Sequence, residues 1–511
     1  MPDDPLQLIQ HIEKRVERSG LSSGFRLSRR ELPPIPSWRR FECNKWILDI
    51  SETVTYYPIR DANGGVQGWL LGSPVEDRRS KAVDIDTRTV SITSTEELQD
   101  FLDSLAGSFV ALWLSEKNPR IYLDASGSLG VAFCPEFEVV SSNMLLIPKG
   151  QDSQYRDNLI KHLDIPFSAK MYPFGITWRT DVRRLLPNFF LDLVLWKSTR
   201  HWPSHRIDRN RDTARAIRKI SDSISFIIDS TCASDPARFG LSAGRDSRML
   251  LACARKSLEN IEFVSWMGDR NRIWQMIDVE VALHISRDFR LQHRILDFIP
   301  PTPEDLDFWL AEVGISTGEP NGWRHSATAR QLLSGRSLIL GNAGEVGRSF
   351  YWEADDLDGM CIEPVELAQR LGFPLLPESI QETSHWLATF EATPRTFALD
   401  MAYIEQRLGA WAGAMGWEPI ASGRRVVQGF SSRAIFEQML SLPEAYRWEQ
   451  QLTKDIVESN WPELLKYPIN TPISKLLSLT KSFFDIQKSV PGAWRVASTL
   501  EGLLSKFPPW S

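Results

Sequence analysis

Phe239-Gly-Leu-Ser-Ala-Gly-Arg-Asp-Ser-Arg-Met249 is the stretch on which the fold turns. A strand-like run, Ala237 to Leu241, enters a turn of small residues, Ser242-Ala243-Gly244. A helix-prone run, Ser247 to Arg255, follows. Strand, tight turn and helix start together make an anion cradle, because the first amides of a helix lack intrahelical acceptors and the helix dipole favours negative charge there. The small side chains of Ser242, Ala243 and Gly244 let a phosphate approach the backbone, and the hydroxyls of Ser242 and Ser247 add donors. Asp246 repels phosphate, so its presence points to a divalent cation between carboxylate and phosphate. No G-K-[ST] follows, so this is not a Walker loop.

Working outward, apolar strand-like runs recur at Ile261–Met267, Gln292–Leu296 and Ser337–Leu340, alternating with helical patterns at Thr213–Asp229 and Trp274–Phe289. That alternation predicts an α/β domain with a parallel sheet and helices on both faces. Ligands bind such sheets at the carboxyl ends of the strands. The cradle, the Met267-Gly268 pair and the loop Gly341-Asn-Ala-Gly-Glu-Val346 all fall at such ends.

The cradle residues Ser242 to Ser247 resemble the S-G-G-x-D-S pyrophosphate loop of the ATP pyrophosphatase family, as found in asparagine synthetase and β-lactam synthetase. Ala243 replaces one glycine, which suits the turn if its φ is negative. Asp278, Ala282 and His293 match further family positions, with His293 in a structural role. Gly341 to Val346 resembles the family's second metal-and-phosphate loop, G-x-G-x-D-E, with its Asp missing and Glu345 its only carboxylate. The resemblance implies ATP and Mg²⁺ as cofactors. Asp246 and Glu345 would hold the metal, Arg348 would meet the leaving pyrophosphate, and Leu241, Ser242, Ala243, Gly244, Asp246, Ser247, Met267, Gly268 and Gly341 would contact the nucleotide. Asp246, Glu345 and Arg348 are the catalytic candidates. The family also carries a late catalytic glutamate, for which Glu405 and Glu418 are the nearest candidates, and a late lysine, for which Lys454 and Lys466 stand. Phe430-Ser-Ser-Arg433 resembles its P-F-L-D segment without the proline and the acid.

Length and composition are compatible. The chain has 511 residues, 42% hydrophobic and 24% charged, with a net charge of −6, an ordinary globular balance for two or three domains. No basic run favours nucleic acid. Five scattered cysteines without a C-x-x-C argue against a disulfide framework or zinc ribbon and for a reducing compartment. Acidic residues in the first twenty positions exclude a secretory signal, and no apolar run reaches the ~20 residues of a membrane span. A cytoplasmic protein without membrane attachment is expected.

The N-terminal part begins with an amphipathic helix over 5–19 and a Pro-rich link, Leu32 to Pro36. Strand patterns follow at Trp46–Ile50, Val54–Ile59 and Val66–Leu71. After a helix at Glu96–Leu105 come Gly107–Leu114, Arg120–Asp124 and Glu138–Ser142. The order G-x-F-hydrophobic, strand-D-x-x-G, strand-S-S resembles the N-terminal-nucleophile (Ntn) glutaminase half of asparagine synthetase. That half uses a cysteine at the mature N-terminus. Here Pro2 follows Met1 and the first cysteine is Cys43, so an α+β glutaminase-like domain without glutaminase chemistry is expected over 1–200, followed by a synthetase domain over 201–511. Tyr172 to Pro203 reads as a turn-rich connection, with His201 and His205 solvated rather than ligating. Residues 360–511 read as mostly helical, with Tyr403–Leu408 and the tryptophans Trp411 and Trp417 as a helix packed over the site.

The implied activity is an AMP-forming carbon–nitrogen ligase that makes an acyl-adenylate from a small-molecule or peptide carboxylate and does not take nitrogen from glutamine. Lasso-peptide macrolactam or β-lactam cyclases of the same family, with a precursor peptide or peptidase as partner, are an alternative. A nucleotide- or peptide-binding protein without catalysis is another. A sulfur- or tRNA-modifying relative is disfavoured by the absence of paired cysteines and of a basic surface.

Overall fold

The computed structural model describes residues 4–470, apart from 62, 77–91, 93, 210–211, 268–272, 333–334 and 392. Gly268 and residues 471–511 therefore lie outside the described residues. Three sheets organise the chain.

The first two sheets are antiparallel. One runs β10 (Arg183–Arg184), β8 (Ala132–Cys134), β9 (Val139–Ser141), β1 (Phe25–Ser28), β3 (Trp46–Ile50), β2 (Arg39–Cys43). The other runs β12 (Lys197–Arg200), β11 (Phe189–Asp192), β7 (Arg120–Leu123), β6 (Leu105–Trp113), β5 (Val66–Glu76), β4 (Tyr56–Arg60). Strand alternation shows how they stack. Phe25, Leu27, Phe133 and Val140 of the first sheet share one core with Val110, Leu112, Ile121 and Leu123 of the second. The alternate residues Ala132, Cys134 and Val139 face outward onto α1 (Pro5–Ser19) and α3 (Asp157–Leu163). Phe109, Ala111, Trp113 and Tyr122 face outward onto α2 (Thr95–Asp103). The result is a four-layer helix–sheet–sheet–helix sandwich.

Several elements differ from the sequence reading. Tyr172 to Pro203 is not a connection: β10, β11 and β12 complete both sheets. His201 is packed edge-on against Tyr122 and bonded to Gln99 at 2.8 Å rather than solvated, whereas His205 is exposed. The α2 helix ends at Asp103, and Leu105 already belongs to β6.

The third sheet is wholly parallel, ordered β15 (His293–Leu296), β14 (Ile261–Trp266), β13 (Ala237–Gly240), β16 (Ser337–Leu340), β17 (Arg425–Gln428). Counted along the chain this is 3-2-1-4-5, so the winding reverses between β13 and β16. In doubly wound sheets that reversal opens a crevice at the carboxyl edge. The helix α4 (Thr213–Ser234), capped by Asp212 on the Arg215 amide, leads into β13 and buries Ile217, Ile220, Ile224 and Ile227. The strand exits into α5 (Arg245–Cys253), and α6 (Ile273–Phe289) follows β14.

The antiparallel and parallel parts share one continuous core. Strand β17 packs against β5 and β6, and Gly107 donates its amide to Ser431 O at 3.0 Å. Beneath this joint lies Asp124, fully buried. Its carboxylate accepts from the amides of Phe109, Ser126 and Ser128 and from the hydroxyls of Ser126, Ser128 and Ser431, at 2.8–3.2 Å. Every lone pair faces a donor, so an amide at this position turns an NH₂ against other donors. Asp124→Asn is expected to cost about 3 kcal/mol in urea denaturation. The Ser431 that completes this shell belongs to the Phe430–Arg433 segment, which therefore serves as a joint between the two parts.

Candidate functional site

The loops leaving β13 and β16 meet at the point of reversal. The first turns tightly because its own groups close on themselves. Gly244 N donates to Ser242 Oγ at 3.0 Å, and the two hydroxyls of Ser242 and Ser247 lie 2.9 Å apart. These hydroxyls, expected to be free donors, are thus partly committed to shaping the turn. Ala243 keeps a negative φ, as its turn requires. Its amide donates to Asp278 Oδ1 at 2.9 Å, so α6 holds the loop from behind, and its carbonyl accepts from Asn470 N at 3.0 Å. No side chain caps α5, which starts at Arg245 after Gly244. The first-turn amides therefore face the crevice without an intrahelical acceptor. Leu241 is buried at the strand exit, and Met267, half-buried, follows β14 with its amide on Leu296 O at 2.9 Å.

The second loop presses directly on this turn. A Cβ on Gly344 would stand 2.2 Å from Asp246 Oδ1, and one on Gly341 would stand 3.4 Å from Asp246 Cβ. Gly344 needs to be glycine for that approach, whereas a Cβ at Gly341 would meet its neighbours in ordinary contact. Ala343 sits at φ 80°, in the left-handed region that favours glycine, just before Glu345. A side chain held there is backbone strain stored beside the crevice.

Asp246, Glu345 and Arg348 converge where the loops touch. Arg348 Nη2 lies 3.0 Å from Asp246 Oδ1 and 3.1 Å from Glu345 Oε1. Its Nη1 is buried with no partner among the described residues. Tyr403 donates its hydroxyl to Glu345 Oε2 at 2.8 Å. Burial pushes the Asp246 carboxyl up to about 8; Arg348 opposes the rise and Glu345 adds to it. Burial, aided by Arg348, also pushes the Arg245 guanidinium down. Two acids and two cations are thus held in a place short of water and compensated only in part.

Among the described residues no group of three or more His, Cys, Asp or Glu forms a metal cage. The donor set fits magnesium in another way. This ion keeps water and binds through one or two carboxylates together with substrate phosphates. A crowded Asp246–Glu345 pair beside bare helix amides suits a cation that arrives with its nucleotide.

The other candidates lie elsewhere. Glu405 is fully buried and bonded to Arg200, Trp386 and Asn188. Glu418 is held by Arg424, Ser326 and Ser422. Neither is a free base. Lys454 is exposed on the helix Leu452–Asn460, and Lys466 pairs with Asp288 at 3.5 Å. His293 accepts a structural role: Ser265 donates to Leu241 O at 2.7 Å, so His293 Nε2–H donates to Ser265 Oγ at 2.8 Å. Burial pushes this imidazole down to about 4, in keeping with that neutral tautomer. The segment Tyr403–Leu408 was expected to pack over the site, but neither the Tyr403 hydroxyl nor Asn470 was given a role there by sequence. Both reach it from distant parts of the chain, and no local pattern announces which atom of either meets the loops.

No family model matches the chain, and no curated protein matches it in sequence. Among solved structures it is similar to the NMN synthetase from Francisella tularensis, at 16% identity and a TM-score of 0.21, over 39% of this chain and 94% of that one. It is also similar to the glutamine-dependent NAD+ synthetase from Acinetobacter baumannii in complex with ADP, at 12% identity and a TM-score of 0.19, over 50% of this chain and about half, 52%, of that one.

Proposed function

We propose that this protein is an ATP-dependent, AMP-forming ligase that activates a small-molecule or peptide carboxylate as its acyl-adenylate and passes the acyl group to an amine. The observation that carries this reading is the meeting of Asp246, Glu345 and Arg348 beside the uncapped start of α5, at the reversal point of a parallel sheet. The α5 amides and the unpartnered Arg348 Nη1 receive the departing pyrophosphate. Asp246 and Glu345 hold magnesium, which neutralises phosphate charge when bound. Tyr403 fixes the Glu345 carboxylate, and Asp278 fixes the loop. Catalysis on this reading is positioning and charge stabilisation in a site short of water.

The antiparallel sandwich supports a glutaminase-like ancestry without its chemistry. Its two cysteines, Cys43 and Cys134, are buried, and burial pushes the Cys43 thiol up to about 11. A thiol so placed is a poor nucleophile at neutral pH. The amine is then free ammonia or a group on the substrate, which includes lactam closure within a peptide.

ATP–pyrophosphate exchange across a panel of carboxylic acids, with hydroxylamine to trap the adenylate, tests the proposal. Exchange that depends on one acid is the expected result. Glutamine is expected to release no glutamate and to support no product; glutamate release would overturn that part. Because Glu405 and Glu418 are committed to structure, a binding protein without catalysis is the second reading. ATP binding without exchange or hydroxamate from any acid would favour it.

A further inference from the structure

Next to Glu345, the segment Tyr403–Ala412 is a π-helix. Such wide turns are rare and cluster at functional sites. Hydrogen bonding from i to i+5 brings residues four apart nearly into line, so Tyr403, Arg407 and Trp411 share one face. Tyr403 is buried against Glu345, while Arg407 and Trp411 are the only residues of the segment that are partly open. From the second loop, Phe350 reaches across to the same face. Its ring is 4.8 Å from that of Tyr403, and it is 47% exposed.

Arg407 lies between these rings, its guanidinium 5.8 Å from the centre of Phe350 and 5.1 Å from that of Trp411. Several other arginines of this part have an acid: Arg200 has Glu405, Arg348 has Asp246, Arg370 has Asp356 and Arg447 has Asp400, while Arg184 is held by the Gly409 and Ala410 carbonyls of the same segment. Arg407 has no carboxylate within ion-pair distance among the described residues. Glu319, an acid bonded to this face, accepts from the Trp411 indole at 3.1 Å and from the Asn321 amide at 3.2 Å. A planar cation stacked on aromatic rings, with its hydrogen-bonding edge unused, is a ready receptor for a carboxylate.

We infer that the Phe350–Arg407–Trp411 face binds a second carboxylate of the substrate, one turn beyond the carboxylate that is activated. The substrate class is then an amino acid or peptide with two acidic groups and an apolar or aromatic part to lie on Phe350 and Trp411. This rests on the ligase reading for the identity of the activated group, but the receptor itself does not.

N-acetyl-Glu-Phe and its fully amidated counterpart serve as probes, with binding to the full-length protein followed by calorimetry and by tryptophan fluorescence. The free acid is expected to bind at least tenfold tighter than the amide. Arg407→Met is expected to erase that preference, Arg407→Lys to keep part of it, and Asp246→Asn to leave it intact. Because Arg407 is partly open and has no ion pair among the described residues, the Met variant is expected to unfold at the wild-type urea midpoint, and that comparison accompanies each titration. Equal binding of acid and amide by the wild type, or an undiminished preference in Arg407→Met, overturns the receptor. An Arg407-dependent preference in a protein that shows no pyrophosphate exchange with any acid supports the receptor and removes the ligase reading.

Discussion

Asp246→Asn is expected to lower pyrophosphate release at least about 10³-fold while leaving the fold intact. The change is nearly isosteric, and Asn still accepts from Arg348, so packing against Gly344 and Gly341 is preserved. What it removes is the negative charge on which the proposed metal depends. The same variant carries a stability signature. Burial, moderated by Arg348 and reinforced by Glu345, pushes the Asp246 carboxyl up to about 8. In the unfolded chain this carboxyl ionises near pH 4. Between about pH 4 and pH 8 the native state thus holds a proton that the unfolded state has released, so wild-type stability falls as pH rises through that window, by several kcal/mol in all. Asparagine has no proton to lose. Without nucleotide, the variant is expected to melt with the wild type near pH 4 and above it near pH 8. Added magnesium and ATP narrow that gap, because the wild-type carboxylate then meets its cation. Wild-type levels of pyrophosphate release in the variant would remove the metal role of Asp246.

Glu405→Ala is expected to destabilise the protein by about 3–5 kcal/mol, read as a fall in the urea midpoint. The Arg200 guanidinium, packed on the Phe390 and Phe189 rings at 3.9 and 4.5 Å, would be left buried without its acid. The Trp386 and Asn188 donors would lose their acceptor as well. Glu405→Gln keeps the shape and some of the bonds, and is expected to fall between the two in stability. Pyrophosphate release by the folded fraction of Glu405→Gln is expected within about tenfold of wild type, since the side chain points into the joint with β12 and not into the crevice. A stable but inactive Gln variant would instead make Glu405 the catalytic acid.

The parts of the fold that sequence revealed are those whose signal is local. The run Ala237–Met249 carries strand, turn and helix start in thirteen consecutive residues, and the alternation of apolar runs from Ile261 to Leu340 defines a parallel sheet. Of the strands of 183–200, β10 and β12 were hidden because they are short and polar, two arginines and the edge strand Lys-Ser-Thr-Arg, while β11, Phe-Phe-Leu-Asp, is only four residues long. Their pairing is also remote, with Asp192 opposite Arg120. At the site, Asp246, Glu345 and Arg348 were conspicuous because each lies just past the end of a strand. Tyr403 was not, since nothing in Tyr-Ile-Glu-Gln-Arg tells which side chain turns toward a loop some sixty residues earlier. Glu405 and Glu418 show the converse. A buried carboxylate that ties elements together and one that performs chemistry look alike until their partners are seen.

The two thiols of the sandwich are buried, yet the sandwich shields the last strand of the parallel sheet. Strand β17 is an outermost strand, and β5, β6 and the Asp124 shell lie over it. Outer strands left bare recruit other chains. A gene cut between Arg200 and Thr213 would thus give a synthetase half that clumps before it can be assayed, and any transplant of this crevice onto a smaller scaffold must bring a cover for that border with it.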